Sequence, residues 1–307
     1  MRAVIAGLAN GSRWAHRKVA MASVALVVIG HGSGAMLQAA GGSEQAHASR
    51  EVLARGRDVY AANCAVCHGE SGEGNGMAAH MFLVQPRNFR RGLFKFRSTP
   101  SGSLPTDQDL LRTVTLGIRW TGMVGRSDLS DADRKAVVQY LKTFSPRFAA
   151  EQPASPVTVP APPAKSRDLV EQGRRLYHDA ECATCHGDRG TGDGPSAPGM
   201  KDDWGWPTRP TDLTWRPLKR GSATDETYLT IATGLSGTPM PSYGDSLDSR
   251  DIWAVVSYLE SLVPIEHRLS PQRYLGEEQQ GWMALRMGGM MGPGMMGPGR
   301  MRRMPQM

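Results

Sequence analysis

The chain has little cysteine, with four residues among 307. All four lie in two Cys-x-x-Cys-His runs, so none remains for a disulfide framework, and the pattern favours attachment of a cofactor. No segment alternates apolar and polar residues with a period of two, so we expect little sheet. The net charge is +7, but part of the excess lies at the two ends of the chain. The charge therefore does not indicate a nucleic-acid partner.

The N-terminus also lacks a long hydrophobic run. An apolar stretch from Val19 to Gly30 follows basic residues, and Ala46-His47-Ala48 provides a small-x-small cleavage pattern. This order is typical of a secretory signal peptide. A membrane span needs roughly 20 residues, which this stretch reaches only if it continues past His31 to Leu37. Residues 1–48 are thus predicted to be a signal peptide or an N-terminal anchor, with the protein in the periplasm, soluble or tethered to the inner membrane.

The sequence repeats once, with an offset of about 118 residues. The repeat predicts two domains, over residues 49–148 and 167–264. Residues 149–166 are rich in Pro and Ala and are predicted to form a semi-stiff linker. Residues 265–307 are predicted to be a disordered tail rich in Met, Gly and Pro, with nine methionines from Met283 onward.

Both copies show the periodicity of helices, which predicts an all-α fold. A first helix in each copy ends just before the cysteine motif, with Gly and Tyr on its apolar face (Gly56 and Tyr60; Gly173 and Tyr177). A middle helix is expected to begin at Thr106 with Asp109 completing a capping box, and to end at Gly117. Its counterpart begins near Thr224 and ends at Gly234. A final helix follows in each copy.

The two Cys-x-x-Cys-His runs are the most specific signals in the sequence. Cysteines at this spacing can add across the two vinyl groups of a haem, and the adjacent histidine then lies beneath the iron. A zinc site or a redox pair would also use Cys-x-x-Cys, but two copies with a trailing histidine favour haem. The predicted attachment residues are Cys64, Cys67, Cys182 and Cys185, with His68 and His186 as iron ligands.

A sixth ligand for each iron is expected downstream. Met240 lies in a Thr-Pro-Met-Pro loop between two predicted helices, where prolines on both sides can aim its thioether, a ligand that raises the potential. Met123 occupies the matching position in Thr121-Gly122-Met123-Val124, which lacks both prolines and should be less stiff. The alternatives for the first iron are His80, Met81 and Met77.

Two prolines, Pro86 and Pro210, follow the motifs. Each is a candidate to present a carbonyl oxygen to the N–H of the proximal histidine, an interaction that tunes the metal. The alternative is a simple turn.

With these motifs in place, the chain resembles two tandem modules of the small Met-His cytochrome c family, over about residues 50–146 and 167–264. The resemblance implies two tandem cytochrome c domains, each a few helices around a covalently bound haem, with the haem attached after export. It also implies that Gly56 meets Tyr140, and Gly173 meets Tyr258, where the first and last helices cross. The longer loop from Phe96 to Pro105 resembles haem subunits that serve larger redox complexes.

Three functions follow as hypotheses. The first is periplasmic electron transfer between redox protein partners, as a shuttle or as the haem subunit of a respiratory complex. The alternative is a dihaem enzyme, peroxidase-like or thiosulfate-oxidising, with domain 1 holding the reactive haem. The Met-rich tail could in addition bind Cu(I) or dock on a copper protein, since thioethers suit Cu(I); a flexible low-complexity end is the alternative.

Overall fold

The computed structural model describes residues 48–221 and 223–269, and in these ranges the fold is all-α. The described residues contain no strands, and only two isolated bridges pair extended backbone. None of the helices in these ranges is both long and apolar enough to span a bilayer. The predicted signal peptide or anchor, residues 1–48, lies outside the described residues except for its last residue.

Domain 1 contains five α-helices and a short 3₁₀ helix at Ala79–Met81. The α-helices are α1 (Arg50–Asn63), α2 (Ala65–His68), α3 (Asp107–Leu116), α4 (Asp131–Lys142) and α5 (Arg147–Ala150). Its core is formed mainly by aromatic and branched side chains, among them Tyr60, Phe89, Phe94, Leu110, Val137 and Val138.

Domain 2 repeats the plan without the 3₁₀ helix. Its helices are α6 (Arg167–Asp179), α7 (Cys182–His186), α8 (Thr224–Thr233), α9 (Ser249–Ser261) and α10 (Ile265–Leu269). Its core includes Tyr177, Tyr228, Ile252, Trp253, Val255 and Val256.

Polar side chains cap the start of every long helix in the described residues except α8, which begins after Ala223. The capping box predicted at Thr106 and Asp109 is present, and α3 ends at Gly117, which has a φ of 70°. Other N-cap side chains accept the backbone N–H three residues on: Ser49, Ser130, Ser166 and Asp248. Such caps satisfy N–H groups that a helix leaves without an internal partner.

The first and last helices of each domain cross at a glycine, as the resemblance implied. A Cβ atom built on Gly56 would lie 2.8 Å from Cβ of Tyr140, and one on Gly173 would lie 2.9 Å from Cβ of Tyr258. Both distances are well inside van der Waals contact, so only glycine lets the helix backbones approach this closely. The crossing fixes the helix that leads into each cysteine motif.

Helix α5 includes the first two residues of the predicted linker, and no helix follows until α6 at Arg167. Val157 N–H donates to the carbonyl of Ser98 at 2.8 Å, in domain 1. Three residues later, the carbonyl of Pro160 accepts from the indole N–H of Trp253 at 3.1 Å, in domain 2. The valines of this segment also pack on the core of domain 2. The linker is therefore docked on both domains.

The two domains are joined directly by arginine side chains. Arg97 of domain 1 is 1% exposed, and its guanidinium donates to the carbonyl of Thr233, the last residue of α8, at 2.5 Å. Arg220 of domain 2 donates back to the carbonyl of Arg97 at 3.0 Å. Arg112 of domain 1 forms an ion pair with Glu226. These contacts fix the domains against each other.

The predicted start of the tail is wrong by five residues, because α10 covers Ile265–Leu269. His267 stacks on Trp215 with ring centroids 3.7 Å apart. Its Nδ1 lies 3.0 Å from the carbonyl of Thr214, and Arg268 pairs with Glu260 at 3.1 Å. These contacts hold the segment on domain 2. The rest of the tail, with its methionines, lies outside the described residues.

Candidate functional site

The cysteine motif of domain 2 lies on the short helix α7, directly after α6. The hydroxyl of the buried Tyr177 donates to the carbonyl of Gly187 at 2.7 Å and so fixes the exit of α7 to the helix before it. His186 Nδ1 lies 2.9 Å from the carbonyl of Thr211. When Nδ1 carries the proton and donates it there, Nε2 is left free to bind a metal.

A single cleft in domain 2 brings together the four residues predicted to hold the second haem. Cys182, Cys185, His186 and Met240 all line it, and it encloses about 1380 Å³, part of which is open to solvent. Its walls are mainly apolar, with Tyr177, Leu213, Ile231, Val255 and Leu259 among them. Both predicted axial ligands therefore face one apolar space.

The motif of domain 1 is arranged in the same way on α2. Tyr60 donates to the carbonyl of Gly69 at 2.7 Å, and His68 Nδ1 lies 3.0 Å from the carbonyl of Arg87. The imidazole also stacks on Phe89, with ring centroids 4.6 Å apart. The ring of His68 is thus held by a hydrogen bond at one edge and by an aromatic face.

The prediction that Pro86 and Pro210 supply the carbonyls to the histidines is wrong by one residue. The acceptors are Arg87 and Thr211, which follow the prolines. The proline carbonyls face glycines instead, and a Cβ on Gly192 would lie 2.8 Å from the oxygen of Pro210. The prolines place the next residue's carbonyl rather than their own.

Burial shifts the titration of the motif residues. It lowers the pKa of both His68 and His186, which keeps each imidazole neutral, the form that binds metals. It raises the pKa of the Cys64 thiol to about 11 and also raises the pKa of Cys182. The thiols of all four cysteines are free of disulfide bonds. In the chain without a cofactor, burial therefore favours the neutral imidazole of each histidine and the neutral thiol of Cys64 and Cys182.

The two methionine loops have the same hydrogen bonds although only one contains prolines. Met240 N–H donates to the hydroxyl of Thr238 at 3.3 Å, and its carbonyl accepts from Leu235 at 3.2 Å. Met123 N–H donates to the hydroxyl of Thr121 at 3.1 Å, and its carbonyl accepts from Ile118 at 2.9 Å.

The Met123 loop is therefore closed by the same two hydrogen bonds as the Met240 loop, although prolines are missing on both sides of Met123. The methionines considered as alternative sixth ligands of the first iron are largely exposed to solvent, Met77 at 82% and Met81 at 72%. His80 is also exposed. Exposure of this degree does not fit side chains that bind a buried iron.

Comparisons with known proteins found two family matches and a similar solved structure. The Cytochrome c family model matches residues 170–263, and the model of cytochrome C oxidase, cbb3-type, subunit III matches residues 51–141. A solved chain of the Kuenenia stuttgartiensis reducing HAO-like protein complex Kustc0457/Kustc0458 is 42% identical, over 68% of this chain and 96% of that one, with a TM-score of 0.67. The chain belongs to the c-type cytochromes. A search of curated proteins found no match.

Membership of this family implies covalently bound haem c, and the domain 2 cleft of this cytochrome fits that group. A haem is a flat apolar ring with two carboxylates on one edge. The cleft has apolar walls, and cationic side chains also line it, among them Lys95 and Arg220. Nε of Arg220 is buried and has no hydrogen-bond partner among the described residues. A carboxylate would supply the missing acceptor.

Lys95 was not foreseen as a site residue, because it belongs to domain 1. It lines the domain 2 cleft through the domain interface. Burial, together with the neighbouring positive charges of Arg87 and Lys219, lowers its pKa to about 7. No motif marks such a residue, since its role depends on how the domains pack. The equivalent positions of Pro86 and Pro210 in the repeat were the signal for the carbonyl acceptors, which lie one residue further along.

Proposed function

We propose that this cytochrome carries two haems and transfers electrons in the periplasm. Cys64 and Cys67 would attach the first haem and Cys182 and Cys185 the second. The axial pairs would be His68 with Met123 and His186 with Met240. When bound, haem iron supplies one-electron redox chemistry. The observation that carries the proposal is the single apolar cleft lined by His186, Met240 and both cysteines of domain 2.

Electron transfer is favoured over catalysis because the chain offers a ligand for each axial position. An enzyme that acts on a small molecule at iron needs one position that is open or easily opened. The shared hydrogen bonds of the Met123 and Met240 loops speak against a loose ligand in domain 1. The alternative hypothesis is a dihaem enzyme with a peroxidase-like or thiosulfate-oxidising first haem. The geometry of the two methionine loops does not support it.

The partners are proposed to be redox proteins of a larger assembly. The support is the 42% identity to a chain whose structure is that of a reducing HAO-like protein complex. Isolation of the native protein, followed by identification of what elutes with it, tests this proposal. An HAO-like haem protein in the same complex is the expected result, and a lone cytochrome would contradict it. N-terminal sequencing of the fractionated protein tests the location and distinguishes a cleaved signal from an anchor.

Replacement of each methionine by leucine tests the ligands. The holo-protein should show two methionine–iron charge-transfer bands in the oxidised state. Met240→Leu and Met123→Leu should each remove one band and lower one reduction potential, because the thioether stabilises reduced iron. Met77→Leu is the control and should change neither. Two bands that survive in either variant would contradict the assignment, and peroxide turnover by the unaltered protein would favour the enzyme reading.

A further inference from the structure

Arg87 contacts residues of both domains. Its carbonyl accepts the hydrogen bond from His68 in domain 1, at 3.0 Å. Its guanidinium lies over the ring of Trp204 in domain 2, 4.2 Å from the centroid. The main chain of Arg87 therefore binds a side chain of domain 1, while its own side chain contacts domain 2.

The guanidinium of Arg87 and the indole of Trp204 both pack against Gly237, in the loop that carries Met240. A Cβ atom on Gly237 would lie 2.5 Å from Cζ3 of Trp204 and 2.6 Å from Nη1 of Arg87. Gly237 also has a φ of 78°, which glycine adopts without strain. The loop is closed by the hydrogen bond from Leu235 N–H to the carbonyl of Met240, at 3.2 Å. Gly237 lies inside this closed segment.

Two carboxylates near Arg87, those of Asp202 and Asp203, favour its charged form and so oppose the effect of burial. Burial lowers its pKa to about 10, while Asp202 and Asp203 act in the opposite direction. The guanidinium is therefore still charged at neutral pH, and a charged group over an indole face gains cation–π energy that increases as water is excluded. Asp203 adds a main-chain link, because its N–H lies 3.3 Å from the carbonyl of Gly237.

We propose that Arg87 is a positioning residue for both haems: its carbonyl orients His68, and its guanidinium, stacked on Trp204, holds the loop that presents Met240. The inference rests on the proposed function, in which both residues bind iron. It goes further because it makes the sixth ligand of the second haem depend on a side chain of the first domain.

The proposal separates main-chain and side-chain roles, which makes it testable. Any substitution at position 87 keeps the carbonyl for His68, so Arg87→Met in the full-length holo-protein should leave the first haem unchanged. The second haem should lose intensity in its methionine–iron band. Its affinity for added imidazole should rise about tenfold, since a desolvated cation–π contact is worth about that factor. Met240→Leu identifies which band belongs to the second haem.

Matched variants test whether the stack itself is responsible. Trp204→Ala should reproduce the effect of Arg87→Met. Trp204→Phe should not, because it keeps a ring and removes an indole N–H that finds no partner among the described residues. Arg90→Met is the control at a neighbouring guanidinium, which is exposed and pairs with Glu73 of domain 1 at 3.7 Å. It should change the second haem little.

Three outcomes would overturn the proposal: an unchanged second haem in Arg87→Met, a change confined to the first haem, or an equal effect of Arg90→Met. Thermal unfolding of each variant shows whether it is folded, and Arg87→Lys, which keeps a cation over the ring, should restore part of the band. Failure of the proposed function is distinguishable. If Met240→Leu leaves both bands intact, the ligand assignment is wrong. If Met240→Leu removes one band but Arg87→Met leaves the second haem unchanged, only this inference is contradicted.

Discussion

Replacing Gly173 by alanine should destabilise the second domain, although alanine is the better helix former. The new Cβ would fall on the carbonyl of Ala254 and lie 2.9 Å from Cβ of Tyr258. Carbon atoms prefer separations of about 3.5–4.0 Å, so α6 and α9 would have to move apart by about that difference. A backbone carbonyl cannot rotate away as a side chain can, which places the cost near the upper end of overpacking, about 3 kcal/mol.

The gain in helix propensity offsets about 1 kcal/mol of that cost. A net loss of about 2 kcal/mol lowers the midpoint of thermal unfolding by about 4–8 °C in a protein of this size. Far-ultraviolet circular dichroism of the holo-protein measures this shift. Gly56→Ala should behave alike, because its Cβ would lie 2.8 Å from both the carbonyl carbon of Ala136 and Cβ of Tyr140.

Arg175→Ala is the control on the same helix, since its side chain is 58% exposed and it adds no atom at the crossing. A midpoint for Gly173→Ala that equals or exceeds that of the unaltered protein would refute the reasoning. It would mean that the helices can separate at almost no cost and that close approach at glycine is not needed to seat the cysteine motif.

Three further outcomes are expected. Tyr177→Phe should cost about 1–3 kcal/mol in chemical denaturation, because the buried carbonyl of Gly187 loses its hydrogen bond; no loss would contradict this. The potential of the second haem should fall as the pH rises through the pKa of Lys95, about 7 in the unliganded cleft. The slope should be at most about 59 mV per pH unit, because a neutral amine no longer stabilises the added electron. Lys95→Met should flatten the dependence, and an unaltered slope would exclude Lys95. If the tail binds Cu(I), truncation after Leu285 should abolish the affinity, whereas unchanged affinity would rule the tail out.

The sequence predicted the local features well because each depends on neighbouring residues. The capping box at Thr106 is a pattern of four residues, and the end of α3 at Gly117 needs only a backbone that tolerates a positive φ. The helix crossings at Gly56 and Gly173 were accessible through the resemblance. Such features are decided within one helix or one family pattern.

The features that the sequence did not predict depend on contacts between distant segments. The linker composition indicates an extended chain, but only the packed structure shows Val157 bound to Ser98. The carbonyl acceptor at Arg87 is displaced by one residue because the orientation of a carbonyl depends on the turn that the proline imposes. Lys95 enters the cleft of the other domain, which no pattern within domain 1 could reveal.

The buried bridge at Arg97 has a consequence for how a duplicated protein can evolve. Arg97 supplies a donor to the carbonyl of Thr233, at the end of α8, where a helix has acceptors without internal partners and favours positive charge. Each half of the molecule has thus come to complete the other. A gene encoding the first half alone would expose Arg97, and one encoding the second half alone would leave the carbonyl of Thr233 without this donor. The two copies are therefore no longer interchangeable units that recombination could exchange or delete freely.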